Sequence, residues 1–132
     1  MMIDLVARSP EGLYDINNVL HDRWFRVIDV AYDKTGQRVS VRFPLSGQDT
    51  ARLGVSATAT ALVLEVESVE ELQLMESEGV GRYDFNKLMF STRTDIIRLE
   101  TGVPLRFDMR VSGLGVRLFE RAPPDDRASL RP

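Results

Sequence analysis

Residues 20–25 form the segment of the chain best suited to acid–base chemistry. His21 is the only histidine in the sequence, and Asp22 follows it directly. A histidine titrates near neutral pH, so a neighbouring carboxylate could orient it as a general base. The alternative is structural: His21 or Asp22 ends a helix through backbone hydrogen bonds, while Trp24 and Phe25 anchor the core. Catalysis also needs a nucleophile or an orienting group beside the base, and this spacing specifies neither.

The residue types that are missing exclude several kinds of site. The chain has no cysteine, so it cannot form disulfides, thiol nucleophiles, iron–sulfur clusters or thiolate zinc sites. A single histidine also excludes zinc sites built on two or three histidines of one chain. The sequence has no Gly-x-Ser-x-Gly elbow, no Ser-x-x-Lys pair and no phosphate-binding glycine loop. We therefore expect no cofactor and no metal, and we interpret the glycines of residues 79–81 as part of a connection between strands.

A second group of candidate residues is acidic. Six glutamates lie between residues 65 and 78 with no lysine or arginine among them: Glu65, Glu67, Glu70, Glu71, Glu76 and Glu78. Strand alternation places Glu65 and Glu67 on one face, opposite Leu64 and Val66. An acidic face could dock a basic protein partner or bind calcium or magnesium, although the glycine-containing calcium loop is absent. The other interpretation is a solvated face whose glutamates pair with arginines of neighbouring strands, such as Arg106 and Arg110.

From these two groups we take the candidate site residues. The candidate catalytic residues are His21 and Asp22. The candidate binding residues are Glu65, Glu67, Glu70, Glu71 and Trp24.

Composition limits the class of protein. A chain of 132 residues with 43% hydrophobic and 28% charged residues is typical of one globular domain with its own core. The net charge of -3 argues against nucleic-acid binding, which needs a concentrated basic face. No apolar run of about 18 residues and no signal-peptide pattern occurs, so we expect no membrane contact and a cytoplasmic location. The polar, proline-bearing end predicts a disordered tail over residues 123–132, after a single β-rich domain over residues 1–122.

Hydrophobic periodicity predicts one helix followed by strands. Leu13, Ile16, Val19 and Leu20 fall at helical spacing shortly after Ser9-Pro10, a pair typical of a helix start. From about residue 25 the period changes to two, with a hairpin turn at residues 33–36 and a loop over residues 44–57. The eight predicted strands cover residues 28–33, 39–43, 59–66, 69–75, 83–91, 96–101, 105–111 and 115–121.

These elements predict a mainly β fold of the α+β type: an antiparallel barrel or highly curved sheet of about eight strands with one N-terminal helix. The residues expected in the core alternate along the strands. They are Ile28, Val30, Val39, Val41, Phe43, Leu62, Leu64, Leu72, Leu88, Leu99, Leu105, Phe107, Met109, Val111 and Leu118.

The junction Leu20-His21-Asp22, followed by the hairpin of residues 28–33 and 39–43, resembles that of small uncharacterised bacterial domains. Some of these domains are similar to the immunity proteins of polymorphic toxin systems. The resemblance covers about the first third of the chain. It implies a role in interaction rather than catalysis, and it brings no catalytic residues with it.

Three functions are compatible with the sequence. The leading one is a non-catalytic protein-interaction or binding module of a small bacterial cytoplasmic protein, acting through the acidic stretch or an exposed sheet edge. The first alternative is a small hydrolase-like enzyme that uses His21 with a carboxylate such as Asp22. The second is a small-molecule carrier, if the strands enclose an apolar cavity. A homodimer formed through an edge strand is compatible with all three.

Overall fold

The computed structural model describes residues 3–56, 58–76, 81–102 and 105–121. Strands account for 52% of the structure. The helices and strands in chain order are β1 (Asp4–Ala7), α1 (Leu13–Leu20), β2 (Trp24–Phe25), β3 (Val30–Asp33), β4 (Arg38–Pro44), α2 (Gly47–Leu53), β5 (Ala61–Val66), β6 (Val69–Glu76), β7 (Tyr83–Ser91), β8 (Ile96–Thr101), β9 (Leu105–Val111) and β10 (Val116–Arg121). The predicted tail over residues 123–132 and the predicted connection at residues 79–80 lie outside the described residues.

The strands form two antiparallel sheets of five strands each. Sheet one has the order β1–β10–β5–β4–β3, and sheet two has the order β2–β7–β8–β9–β6. One of the sheets is curled strongly enough to form a half-barrel, which confirms the predicted mainly β fold with a highly curved antiparallel sheet and an N-terminal helix. The eight predicted strands correspond to β3–β10. Within the described ranges β1 and β2 are additional, and their four and two residues are too few to show a period in the sequence.

The core lies between the two sheets, with one side of α1 packed against it. In β9, Leu105, Phe107, Met109 and Val111 are all buried, whereas the residues between them are at least partly exposed. Alternation of this kind indicates one face in the core and one in water. From α1, the buried residues are Leu13, Ile16 and Leu20.

Phe25 joins the two sheets at the centre of this core. Its ring centroid lies 5.4 Å from that of Phe43 in sheet one and 5.8 Å from that of Phe107 in sheet two. Phe43 in turn contacts Phe85 edge-on at 5.9 Å. Because aromatic pairs bury large areas in defined geometries, this cluster fixes how the sheets sit on each other.

Three of the predicted core residues are not fully buried. Ile28 is 80% exposed, so its placement in the core was wrong. Residues Val27–Asp29 form a 3-10 turn, in which the Asp29 carboxylate accepts a hydrogen bond from the backbone N–H of Arg26 at 2.9 Å. The turn interrupts the period of two and directs Ile28 into solvent. Val30 and Leu72 are partly buried and pack against the rim of the core.

The predicted loop over residues 44–57 contains a second helix, α2. Ser46 caps its N-terminus by accepting a hydrogen bond from the backbone N–H of Asp49, whose side chain accepts one back from Ser46. Gly54, in the left-handed conformation at φ 69°, ends the helix. The capping residues are visible in the sequence, but α2 buries no residue and therefore shows no apolar stripe.

A half-buried ion pair fastens α2 to the end of α1. Arg23 Nη1 donates to Asp49 Oδ1 at 2.6 Å, and the two side chains are only 13% and 21% exposed. The backbone N–H of Ser46, together with the Arg23 guanidinium, lowers the pKa of Asp49 below its ordinary value of 3.8. A carboxyl whose pKa is lower in the folded state stabilises the fold above its unfolded pKa. That contribution is lost as the pH falls through the folded value.

We therefore expect Asp49→Asn to lower the free energy of unfolding by about 1–3 kcal/mol at neutral pH, as for other charged hydrogen bonds. The variant should also lose less stability than the unchanged protein when the pH falls from about 5 to about 2. Urea denaturation across this pH range measures both effects. The control is Asp4→Asn, which breaks the exposed Arg117–Asp4 pair at 2.9 Å, and equal losses in the two variants would contradict the expectation.

One side chain of α1 completes the edge of β7. The Asn17 amide donates to the carbonyl of Leu88 at 2.9 Å and accepts from the Leu88 N–H at 2.8 Å. These are the two bonds that a neighbouring strand would make, and β2 is too short to reach this part of β7. Asn17, a poor helix former, thus connects the helix to sheet two.

Candidate functional site at the β6 edge

His21 and Asp22 lie on the surface at the end of α1. The His21 N–H closes the helix on the carbonyl of Asn17 at 2.9 Å, and Asp22 takes the left-handed conformation at φ 68°. Their side chains are paired, with His21 Nδ1 3.1 Å from Asp22 Oδ2, but they are 67% and 81% exposed. The pair is therefore exposed to solvent. The backbone hydrogen bond of His21 matches the interpretation in which this residue ends the helix.

Trp24 is half-buried and carries a cation on its ring. The guanidinium carbon of Arg82 lies 4.4 Å from the ring centroid, and Arg82 Nε lies 3.9 Å from Asp84, the cross-strand neighbour of Trp24. A cation over an indole face is a stabilising contact. Part of the tryptophan surface that could receive a ligand is occupied by this arginine.

Two of the candidate glutamates, Glu65 in β5 and Glu67 directly after that strand, lie among arginines. Glu65 Oε1 is 3.5 Å from Arg38 Nε, and Glu67 Oε2 is 3.7 Å from Arg8 Nη1. Arg117 lies directly across from Glu65 in the register of β10 and β5. The negative charges of Glu65 and Glu67 are therefore locally compensated.

The other two candidate glutamates, Glu70 and Glu71, lie in sheet two, because the chain changes sheets at Ser68, which has a φ of 58°. Glu71 Oε2 is 3.3 Å from Arg110 Nη2, one of the two arginines expected as partners. The other expected partner is Arg106, whose Nε lies 3.6 Å from Oδ1 of Asp108 instead. Within the described ranges, Glu70 is exposed and forms no ion pair or side-chain hydrogen bond. The acidic stretch is thus divided between two surfaces.

β6 is an edge strand of sheet two, and after Val69 its outer side has no partner strand within the described residues. It is eight residues long and pairs with β9, with a shift of register between Val69 and Glu71 that leaves Glu70 without a partner in β9. Leu74 is 45% exposed and Met75 is 40% exposed. An edge strand presents a row of backbone N–H and C=O groups that another strand can use. Long edges with exposed apolar side chains are consequently sites where chains can associate.

A groove of about 310 Å³ lies between β6 and the hairpin of β3 and β4. Tyr32 and Leu72 supply apolar walls, and Lys34 and Glu70 supply charges. One end is closed by the hairpin, since the Val69 N–H donates to the carbonyl of Gln37 at 2.8 Å and the Tyr32 hydroxyl contacts the Val69 carbonyl at 3.5 Å. The groove therefore follows the open edge of β6, beside the edge strand of sheet one.

The described residues also bear on metals and membranes. In this part of the chain no three His, Asp or Glu side chains come together as a metal site. None of the described helices has both the length and the apolar character needed to cross a membrane.

The chain matches no protein-family model, no curated protein and no solved structure. The resemblance of its first third to small bacterial domains consequently stays a prediction. The function has to be inferred from the site itself.

Proposed function

We propose that this protein is a non-catalytic interaction module that binds an extended segment of another polypeptide along β6. The observation that carries the proposal is the edge of β6 after Val69, which has no partner strand on its outer side within the described residues and which exposes Leu74 and Met75. An added strand would use the unpaired backbone groups of β6, and its side chains would cover these two residues. The bacterial, cytoplasmic setting and the likeness to immunity proteins belong to the same proposal, because such proteins act by binding.

The geometry supports the two alternative functions less well. The His21–Asp22 pair is exposed to water, whereas a catalytic pair is expected in a pocket that can hold a substrate. A carrier needs internal space, but large fully buried side chains occupy the region between the sheets, among them Phe25, Phe43 and Tyr83. The open edge of β6 remains the feature best suited to binding.

The test uses synthetic eight-residue peptides designed to form strands, in basic, neutral and acidic versions, and amide hydrogen exchange of the full chain. We expect at least one peptide to slow exchange in β6 while leaving exchange in β1, an edge strand of sheet one, unchanged. Leu74→Asp should abolish the effect by placing a charge where the added strand packs. The matched control is Val6→Asp on β1, where Val6 is 57% exposed. Equal protection of both edges, or protection by no peptide, would overturn the proposal.

A further inference from the structure

We infer that the segment bound along β6 is basic, with lysine or arginine alternating with apolar residues, and that it lies in the groove between β6 and β3. This inference rests on the proposed function and adds the chemistry of the partner. It is carried by the charges of β6, the apolar wall of the groove and the cross-strand pairing rules of an antiparallel sheet.

The charge on β6 is of one sign. Its sequence, Val-Glu-Glu-Leu-Gln-Leu-Met-Glu, contains three glutamates and no lysine or arginine. Glu71 is paired with Arg110, but Glu70, which lines the groove, forms no ion pair within the described part of the chain. Opposite charges on neighbouring strands stabilise a sheet, whereas like charges destabilise it. A basic strand is therefore favoured beside β6, and an acidic one is disfavoured.

The apolar positions of the segment follow from the faces of β6. Leu72 and Leu74 lie across from Met109 and Phe107 of β9, so they share the face that leads into the core. Tyr32 stands on the opposite wall of the groove. Every second side chain of an added strand would point to this face, and there it would meet leucine and tyrosine. Lys34 also lines the groove, but it belongs to the hairpin turn and not to the strand that offers its backbone.

The same charges argue against a second copy of this chain as the occupant. Two antiparallel β6 strands would bring the glutamates of both copies onto neighbouring strands. Charged edges of this kind prevent proteins from associating with themselves. The acidic edge therefore disfavours self-pairing while leaving the strand open to a basic partner.

The experiment compares three fluorescein-labelled peptides, (Lys-Val)₄, (Gln-Val)₄ and (Glu-Val)₄, by fluorescence anisotropy with the full chain. We expect the basic peptide to bind most tightly, the acidic peptide to bind least, and the affinity of the basic peptide to fall as salt rises. Glu70→Lys should weaken binding of the basic peptide by about 1.5- to fivefold, the range expected for one exposed charge pair. The matched control is Glu11→Lys, which makes the same change of net charge at an exposed residue of the 3-10 turn Pro10–Gly12.

The outcomes separate this inference from the proposed function. Equal binding of the three peptides, with exchange in β6 still slowed, would overturn the inference and leave the interaction module standing. Equal effects of Glu70→Lys and Glu11→Lys would overturn the role of Glu70. A dimer in sedimentation velocity that Leu74→Asp dissociates would make a second copy the occupant and overturn the inference. Binding by none of the peptides would overturn both proposals.

Discussion

Phe25→Ala is expected to lower the free energy of unfolding by about 3–5 kcal/mol, the range typical of removing a buried phenylalanine. Phe25 is fully buried, and its ring contacts Phe43 of sheet one and Phe107 of sheet two. Truncation leaves a cavity at the point where the sheets meet, and rigid strands on both sides can close it only partly. The midpoint and slope of urea denaturation measure the loss.

The control for this prediction is Phe119→Ala, the same chemical change on the outer side of sheet one. Phe119 is half-buried, and the guanidinium carbon of Arg117 lies 4.6 Å from its ring centroid. Its removal exposes a surface to water rather than opening a cavity, so the loss should be less than half that of Phe25→Ala. Similar losses in the two variants would show that the core does not depend on the aromatic cluster.

The importance of Phe25 could be expected from the sequence, but its neighbours could not. Alternation identified strands such as β4 and β9, because each has one face in the core, whereas β5 is recognisable as a continuous apolar run. A two-residue strand such as β2 has no period, and only the fold shows that Phe25 reaches both sheets. The prediction that Ile28 is buried was wrong for a related reason, since a hydrogen-bonded turn interrupts a pattern that otherwise alternates.

The sequence identified acidic residues of the candidate site, but it did not show where the fold places them. The sequence groups Glu65, Glu67, Glu70 and Glu71 into one acidic stretch, whereas a turn at Ser68 separates Glu65 of sheet one from Glu70 and Glu71 of sheet two. The arginines that compensate Glu65 and Glu67 come from parts of the chain distant in sequence. An open edge such as that of β6 is a property of strand order, which depends on tertiary packing and is not encoded in the local period.

Asn17→Ala is expected to lower the free energy of unfolding by about 2–4 kcal/mol, because it leaves two partly buried backbone groups without a partner. The Asn17 amide satisfies both the N–H and the C=O of Leu88, and on the side of β7 away from β8 no described strand borders that residue. Asn17→Asp should also be destabilising, since a carboxylate can accept from the N–H but would face the carbonyl with a lone pair. Thermal and urea denaturation of both variants measure these losses.

The adjacent residue supplies the control, because Asn18 is exposed on the same helix. Alanine is the better helix former by about 0.5 kcal/mol, so Asn18→Ala should leave stability unchanged or raise it slightly. Opposite effects at two neighbouring asparagines would show that Asn17 acts through β7 and not through the helix. Equal gains at both would mean that the edge of β7 needs no side-chain partner. In that case α1 would be attached to sheet two by its apolar face alone.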